Sequence, residues 1–206
     1  MTLKVETLAV GPLEANCYLL SDGTDAPIVV VDPGAWPDTI LDAVGGRPVS
    51  EIVLTHRHFD HVGALPEVVA ATGAVVAASA SEADAVVEPT GNMSTWIAEP
   101  ITLSRPDRIL ADGDVVRVGA AELTVLHTPG HTDGGICLFG EGVLISGDTL
   151  FAGGWGRTDL PSGSDSALRT TFVDLLAALP DDTVVYPGHG PSTTIGREKR
   201  LNPMMR

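Results

Sequence analysis

Residues 55–66 read Thr-His-Arg-His-Phe-Asp-His-Val-Gly-Ala-Leu-Pro, and three of the chain's six histidines fall here beside an aspartate. The segment's Thr55 closes Glu-Ile-Val-Leu-Thr (51–55), which reads as a buried strand running straight into the histidines. His56 and His58 are two apart at the end of extended chain, so their side chains share one side. Asp60 and His61 follow where the chain turns into a helix, which brings two more donors back toward the same point. Such a group is either a solvated loop or a set of ligands. Imidazole nitrogen with carboxylate oxygen is ligand chemistry for zinc, iron or manganese.

The rest of the chain favours ligands. His131 lies in Thr-Pro-Gly-His-Thr-Asp-Gly-Gly, Asp148 in Ser-Gly-Asp-Thr-Leu-Phe, and His189 in Tyr-Pro-Gly-His-Gly-Pro-Ser. Each follows an apolar strand and adjoins glycine, as a side chain presented from a tight strand-end loop would. Only His127 sits inside a strand, where it reads as structural. The remaining strands are predicted over 3–10, 16–21, 27–31, 74–78, 114–118, 122–127, 135–139, 142–146 and 183–187. Helices are predicted over 36–44, 62–71, 81–87 (capped by Ser79 or Ser81) and 165–179. Alternating strands and helices define an α/β layered fold in one domain over residues 1–206. Two stretches lack a period, 88–107 and 152–163. They carry Met93, Trp96, Trp155 and Arg157 and should flank the histidines.

Composition narrows the partners. With 27 acidic and 12 basic residues the formal net charge is −15, and no Lys/Arg run offers a groove for nucleic acid. The apolar run at 68–80 is broken by Gly73 and too short to span a bilayer, so no membrane partner is expected. The first residues lack the basic start and apolar run of a secretion signal, which places the protein in the cytoplasm. Cys17 and Cys137 lie in apolar strands and read as buried free thiols.

The four motifs, in this order and at these spacings, resemble the metallo-β-lactamase superfamily, and within it the short glyoxalase II-like thioester hydrolases. The resemblance implies an αββα sandwich, two mixed sheets flanked by helices. It assigns His56, His58 and His131 to one metal, Asp60, His61 and His189 to a second, and Asp148 to a bridge between them. The implied cofactors are two divalent metals, zinc in first place with iron or manganese as alternatives. A hydroxide held between them would attack a thioester carbonyl such as that of S-lactoylglutathione, with Asp60 and Asp148 in the catalytic centre. Asp32 matches a carboxylate that steadies the ligand loop, and reads equally as a cap of its own turn. The resemblance makes Arg157 a substrate contact, although it also reads as a surface loop arginine; Trp155, on the same aperiodic stretch, is a second candidate contact.

The pattern departs from the longer members in two places. Pro191 stands where they carry a tyrosine, and the chain stops at Arg206 without their helical C-terminal domain. Aspartate at position 60, where many β-lactamases use cysteine, argues against antibiotic hydrolysis. Gly156-Arg157-Thr158-Asp159 also resembles the persulfide dioxygenases, which use a single iron. Hydrolysis of a lactone or a phosphodiester on the same fold is a further alternative.

Overall fold

Alternate residues along the second apolar strand, Cys17 and Leu19 against Tyr18 and Leu20, are all buried, so both of its faces must be covered. The computed structural model, which describes residues 3–97 and 99–206, shows how. The first sheet runs in chain order through β1 (Lys4–Val10), β2 (Ala15–Ser21), β3 (Ile28–Val31), β4 (Val49–Val53), β5 (Val75–Ser79) and β6 (Arg108–Leu110). Its first three strands are antiparallel and its last four parallel. The second sheet begins with the antiparallel meander β7 (Val115–Val118), β8 (Ala121–His127), β9 (Ile136–Gly140) and β10 (Val143–Gly147). A two-stranded ribbon, β11 (Leu150–Phe151) and β12 (Gly154–Trp155), then intervenes. The sheet is completed by β13 (Val184–Pro187), parallel to β10, and β14 (Thr193–Thr194).

Tyr18, Leu20, Val29, Val31 and Val53 of the first sheet meet Val116, Leu123, Val125, Leu138 and Ile145 of the second in one buried cluster. Cys17, Leu19, Val30 and Ile52 point the other way, against Ile40 and Val44 of α1 (Pro37–Val44) and Val68 of α3 (Leu65–Thr72). On the far side Leu144 and Val185 pack on Leu168 of α5 (Asp165–Thr170), Phe172, and Ile195 of α6 (Ile195–Leu201). The expected αββα sandwich is what forms. Among the described residues no helix is long and apolar enough to cross a membrane. Both cysteines are buried and free, and burial pushes the Cys137 thiol up to about 11.

Three helices differ from the sequence-based expectation. The predicted helix at 62–71 is two, α2 (Phe59–Val62) and α3, with the break at Gly63-Ala64 where a side chain at 63 would strike the Gly34 carbonyl. The helix α4 (Ala80–Ala85) starts after Ser79 as expected, but the Ser79 hydroxyl donates to the Gly134 carbonyl instead of capping. The segment 165–179 leaves α geometry after Thr170, passing through a π turn at Thr171–Leu175 and a 3-10 turn at Leu176–Ala178. The wide turn keeps Leu168, Phe172 and Leu176 buried together against the sheet. Short β14 and α6 were not expected; they are anchored through Glu198, buried and bonded to Thr193 and Gly153.

Phe172 is fully buried in the outer cluster. Phe172→Ala should cost about 3–5 kcal/mol, as aromatic deletions in closed cores do. Denaturant unfolding of the two proteins checks this.

Candidate metal centre

Parallel neighbours end on the same edge of a sheet, and here two parallel pairs, β3/β4 and β10/β13, end facing one another. Asp32 follows β3, Thr55 to Asp60 follow β4, Asp148 follows β10 and His189 follows β13. His131 comes from the loop between β8 and β9. Backbone bonds close the seam: Ile136 N–H donates to the Thr55 carbonyl at 3.0 Å and Asn16 N–H to the Gly188 carbonyl at 2.7 Å. The Asn16 amide donates to the Pro187 and Gly190 carbonyls, and the Tyr18 hydroxyl also donates to Pro187.

The candidate side chains converge. His56, His58 and His131 place one nitrogen each within 4.8 Å of one another, and Asp60, His61 and His189 form a second such group. Asp148 lies between them, its Oδ1 3.4 Å from His61 Nε2 and its Oδ2 3.6 Å from His131 Nε2 and 3.8 Å from His189 Nε2. Asp60 Oδ2 is 3.2 Å from His189 Nε2. Two glycines make room: a Cβ on Gly188 would sit 2.1 Å from Asp148 Oδ1, and one on Gly156 would meet the Asp148 carbonyl at 1.9 Å.

The rings are held from behind. Asp32, which adopts φ 51°, accepts from Thr55 N–H at 2.7 Å, from the Thr55 hydroxyl at 2.6 Å and from His61 Nδ1 at 3.0 Å. Because the Thr55 proton goes to Asp32, its oxygen is left to accept from His56 Nδ1, 3.1 Å away. His131 Nδ1 donates to the Arg157 carbonyl at 2.7 Å and His189 Nδ1 to the Leu13 carbonyl at 3.0 Å. For His56, His61, His131 and His189 this directs the Nε2 lone pair inward.

Among the described residues His56 Nε2 and His61 Nε2 make no hydrogen bond, whereas His131 Nε2 lies 2.9 Å from His58 Nδ1 and His189 Nε2 3.2 Å from Asp60. Of six buried side-chain polar atoms without a hydrogen bond among the described residues, four are His56 Nε2, His58 Nε2, His61 Nε2 and Asp148 Oδ1. Each such atom costs about 1–3 kcal/mol if left unsatisfied. Burial and the neighbouring rings hold His56 well below the usual histidine range and His58 down to about 3; burial lowers His131 as well. Burial works against protonation of His61 too, but Asp148 and Asp60 outweigh it and raise that ring well above the range. His189 is raised in the same sense by Asp60 and Asp148 against its burial. Imidazole nitrogens and carboxylates gathered at one point are a donor set that fits divalent cations, which bind such rings in their neutral form.

A cleft of about 430 Å³ opens above the cluster, walled by Leu13, Met93, Trp96, Phe151 and Trp155, with Asp60, Asp148 and His189 at its floor. Trp155 is 38% exposed in this wall. Arg157 lines the cleft, but its guanidinium is exposed and held by Asp159 at 2.7 and 2.8 Å. Its backbone carbonyl makes the closer contribution, through His131. The sequence reading did not single out Thr55, Leu13 or Phe151. A hydroxyl residue directly before His56 was the available sign for Thr55. It also passed over Arg57, which is buried and paired with Glu82 at 3.4 Å and Asp133 at 2.8 Å, tying the ligand loop to α4 and the His131 loop. His127 stays outside the cluster, its Nε2 3.0 Å from the Asp133 carbonyl.

The fold and this cluster define the class: residues 10–189 match the family model of the metallo-beta-lactamase superfamily, and the chain belongs to that family. Metal-dependent hydrolysis is the activity this class and its His/Asp clusters support. Among relatives, it is 35% identical to "Probable metallo-hydrolase YqgX" of Bacillus subtilis over 98% of both chains. It is 31% identical, over 98% of each chain, to hydroxyacylglutathione hydrolase GloC of Haemophilus influenzae. Among solved structures, BLEG-1 B3 metallo-beta-lactamase is similar with a TM-score of 0.92 and 34% identity, over 98% of this chain and 99% of that one. TTHA1623 in a di-iron-bound form is similar with a TM-score of 0.80 and 35% identity, over 97% and 99%.

Asp32→Asn keeps the shape but must turn an amide donor toward Thr55 N–H, or toward the Thr55 hydroxyl and His61. Metal affinity should fall about 10–100-fold, as losses behind a ligand do. Competition with a chromophoric zinc chelator reads this directly.

Proposed function

We propose that the protein hydrolyses small acyl thioesters at a two-metal centre. The observation that carries this reading is Asp148, which lies between the two groups, its Oδ1 toward His61 and its Oδ2 toward both His131 and His189, beneath a cleft sized for a small molecule. His56, His58 and His131 would hold one cation, Asp60, His61 and His189 the other, and Asp148 would be shared. Cations bound there supply Lewis acidity at the carbonyl oxygen and lower the pKa of a water, as divalent pairs do in hydrolases. The chain's own part is positional. Asp32, Thr55 and the Arg157 carbonyl fix ring orientation, and the Trp96, Trp155 and Phe151 walls keep the carbonyl out of bulk water. In the net reaction the acyl carbon–sulfur bond breaks, a carbon–oxygen bond to water forms, and the two protons of water end on the carboxylic acid and the thiol. Arg157 would take a carboxylate of the thiol portion, exchanging it for Asp159, since an ion pair exposed to water is weakly held.

Two other readings have support. The likeness to BLEG-1 favours β-lactam hydrolysis, and Gly156-Arg157-Thr158-Asp159 favours single-iron persulfide oxidation. Against the second stands the complete Asp60, His61, His189 group, which a one-metal centre would leave without a cation. Three assays separate them: S-lactoylglutathione cleavage, nitrocefin cleavage, and oxygen uptake on glutathione persulfide, each with elemental analysis of metal per chain. Thioester cleavage with two metals per chain is expected; oxygen uptake with one iron would replace this reading.

Asp148→Ala should lose turnover at least as severely as any single histidine variant and should bind fewer than two metals. Retention of both metals with near-native turnover would refute the shared role. Arg157→Ala should raise KM for S-lactoylglutathione with little change in kcat, the mark of binding made equally in ground and transition states. Steady-state kinetics on an uncharged thioester, which should be indifferent, completes that test.

A further inference from the structure

A second cavity, of about 470 Å³, adjoins the metal cleft and has no role so far. It lies between the β1–β2 turn, the loop after β3 and the residues around α2, with Ile97 and Ile101 closing it. Asp60 is the only titratable residue along its lining, and Leu13, Phe59 and Asp60 line both this cavity and the cleft. Beyond that shared wall the surface is Val10, Pro12, Ala35, Trp36, Ala64 and Ile101.

Local structure keeps this space open. Trp36 takes φ 53°, which bulky residues rarely adopt, and stands 53% exposed at the rim ahead of Pro37. Gly11 takes φ 73°, and a Cβ there would lie 2.9 Å from Ala35 Cβ. All three tryptophans of the chain line one cavity or the other, Trp36 here and Trp96 and Trp155 in the cleft. With Leu13 they make up half of the eight large hydrophobic side chains that are exposed among the described residues. Exposed aromatics gathered at two joined cavities mark a place for an apolar ligand.

A thioester has two arms that diverge from its carbonyl. One cavity offers a cation and aromatic walls, the other a surface apolar but for Asp60 at its edge. The geometry points to this second cavity as the acyl-arm site, so the preferred substrates are thioesters of uncharged aliphatic acids longer than a short hydroxy acid. This rests on the thioester reading. Among the described residues the lining offers no lysine or arginine to an acyl carboxylate, and its apolar walls reward each methylene that leaves water.

The test uses S-acetyl-, S-butyryl-, S-hexanoyl- and S-octanoylglutathione as substrates and the thioether S-octylglutathione as an uncleavable probe in calorimetry. kcat/KM should climb about fourfold per buried methylene until the cavity is filled. Ala35→Phe and Ile101→Trp, at two different points of the lining, should flatten that climb and leave S-acetylglutathione turnover as in the native protein. Both should weaken S-octylglutathione binding at least tenfold; circular dichroism shows which variant is folded, and either one suffices. A flat series in the native protein, with probe binding unchanged in the folded variants, overturns the proposal. If no thioester is cleaved but the probe binds and the variants weaken it, the acyl site stands and the thioester reading falls. If the variants instead dissolve a dimer in sedimentation and leave probe binding unchanged, the cavity is a contact between copies and the proposal is overturned.

Discussion

Among the described residues no lysine or arginine pairs with Asp32, yet it is only 1% exposed and accepts three hydrogen bonds. Two of its donors belong to Thr55, at the end of β4, and the third is the His61 ring. That carboxylate therefore sets where the neighbouring strand stops and which nitrogen of His61 faces the cluster. Through the Thr55 hydroxyl it also sets which nitrogen of His56 does. A residue at φ 51° is a strained way to end a strand, and aspartate is among the few non-glycine residues that tolerate it. Both readings that the sequence left open, turn and ligand support, describe the same atom set.

The geometry above Asp32 depends on two sheets ending at one edge. Either sheet alone offers an incomplete centre. The first carries His56, His58, Asp60 and His61; the second carries His131, Asp148 and His189. The interior between them is almost wholly aliphatic, with Tyr18 the only aromatic among its buried members. Its hydroxyl reaches across to the carbonyl of Pro187, so even that ring spends its polar atom on the seam.

Much of this was legible because the ligands occur at strand ends, where apolar runs stop at glycine, and because their spacing is set by local geometry. Strands β1 to β5 and β7 to β10 follow the runs from which they were predicted. The misreadings have physical causes. The spacing of Leu168, Phe172 and Leu176 suits a regular helix, and nothing local signals the π turn that packing imposes. Nothing local in the sequence marks Arg57 as buried, because its partners Glu82 and Asp133 are distant in sequence. The guanidinium of Arg157 is the expected substrate contact; that its carbonyl also meets His131 was not legible, since a backbone atom carries no residue-type signal. Trp36 read as the start of a helix, and only the turn before Pro37 shows that its ring stands at a cavity rim.

The bonds from Asn16 and Tyr18 to the Pro187–Gly190 loop join positions more than 165 residues apart. During synthesis, at ~5–20 residues per second, β2 must wait several seconds or more for that loop to emerge. Until then Asp60 and His61 lie at an edge that lacks His189 and the bonds that fasten its loop to β2. A growing chain therefore presents the donors of residues 56–148 without the closed seam that fixes their spacing. The spacing of the two groups of donors is thus set at the last stage of folding, when the seam closes.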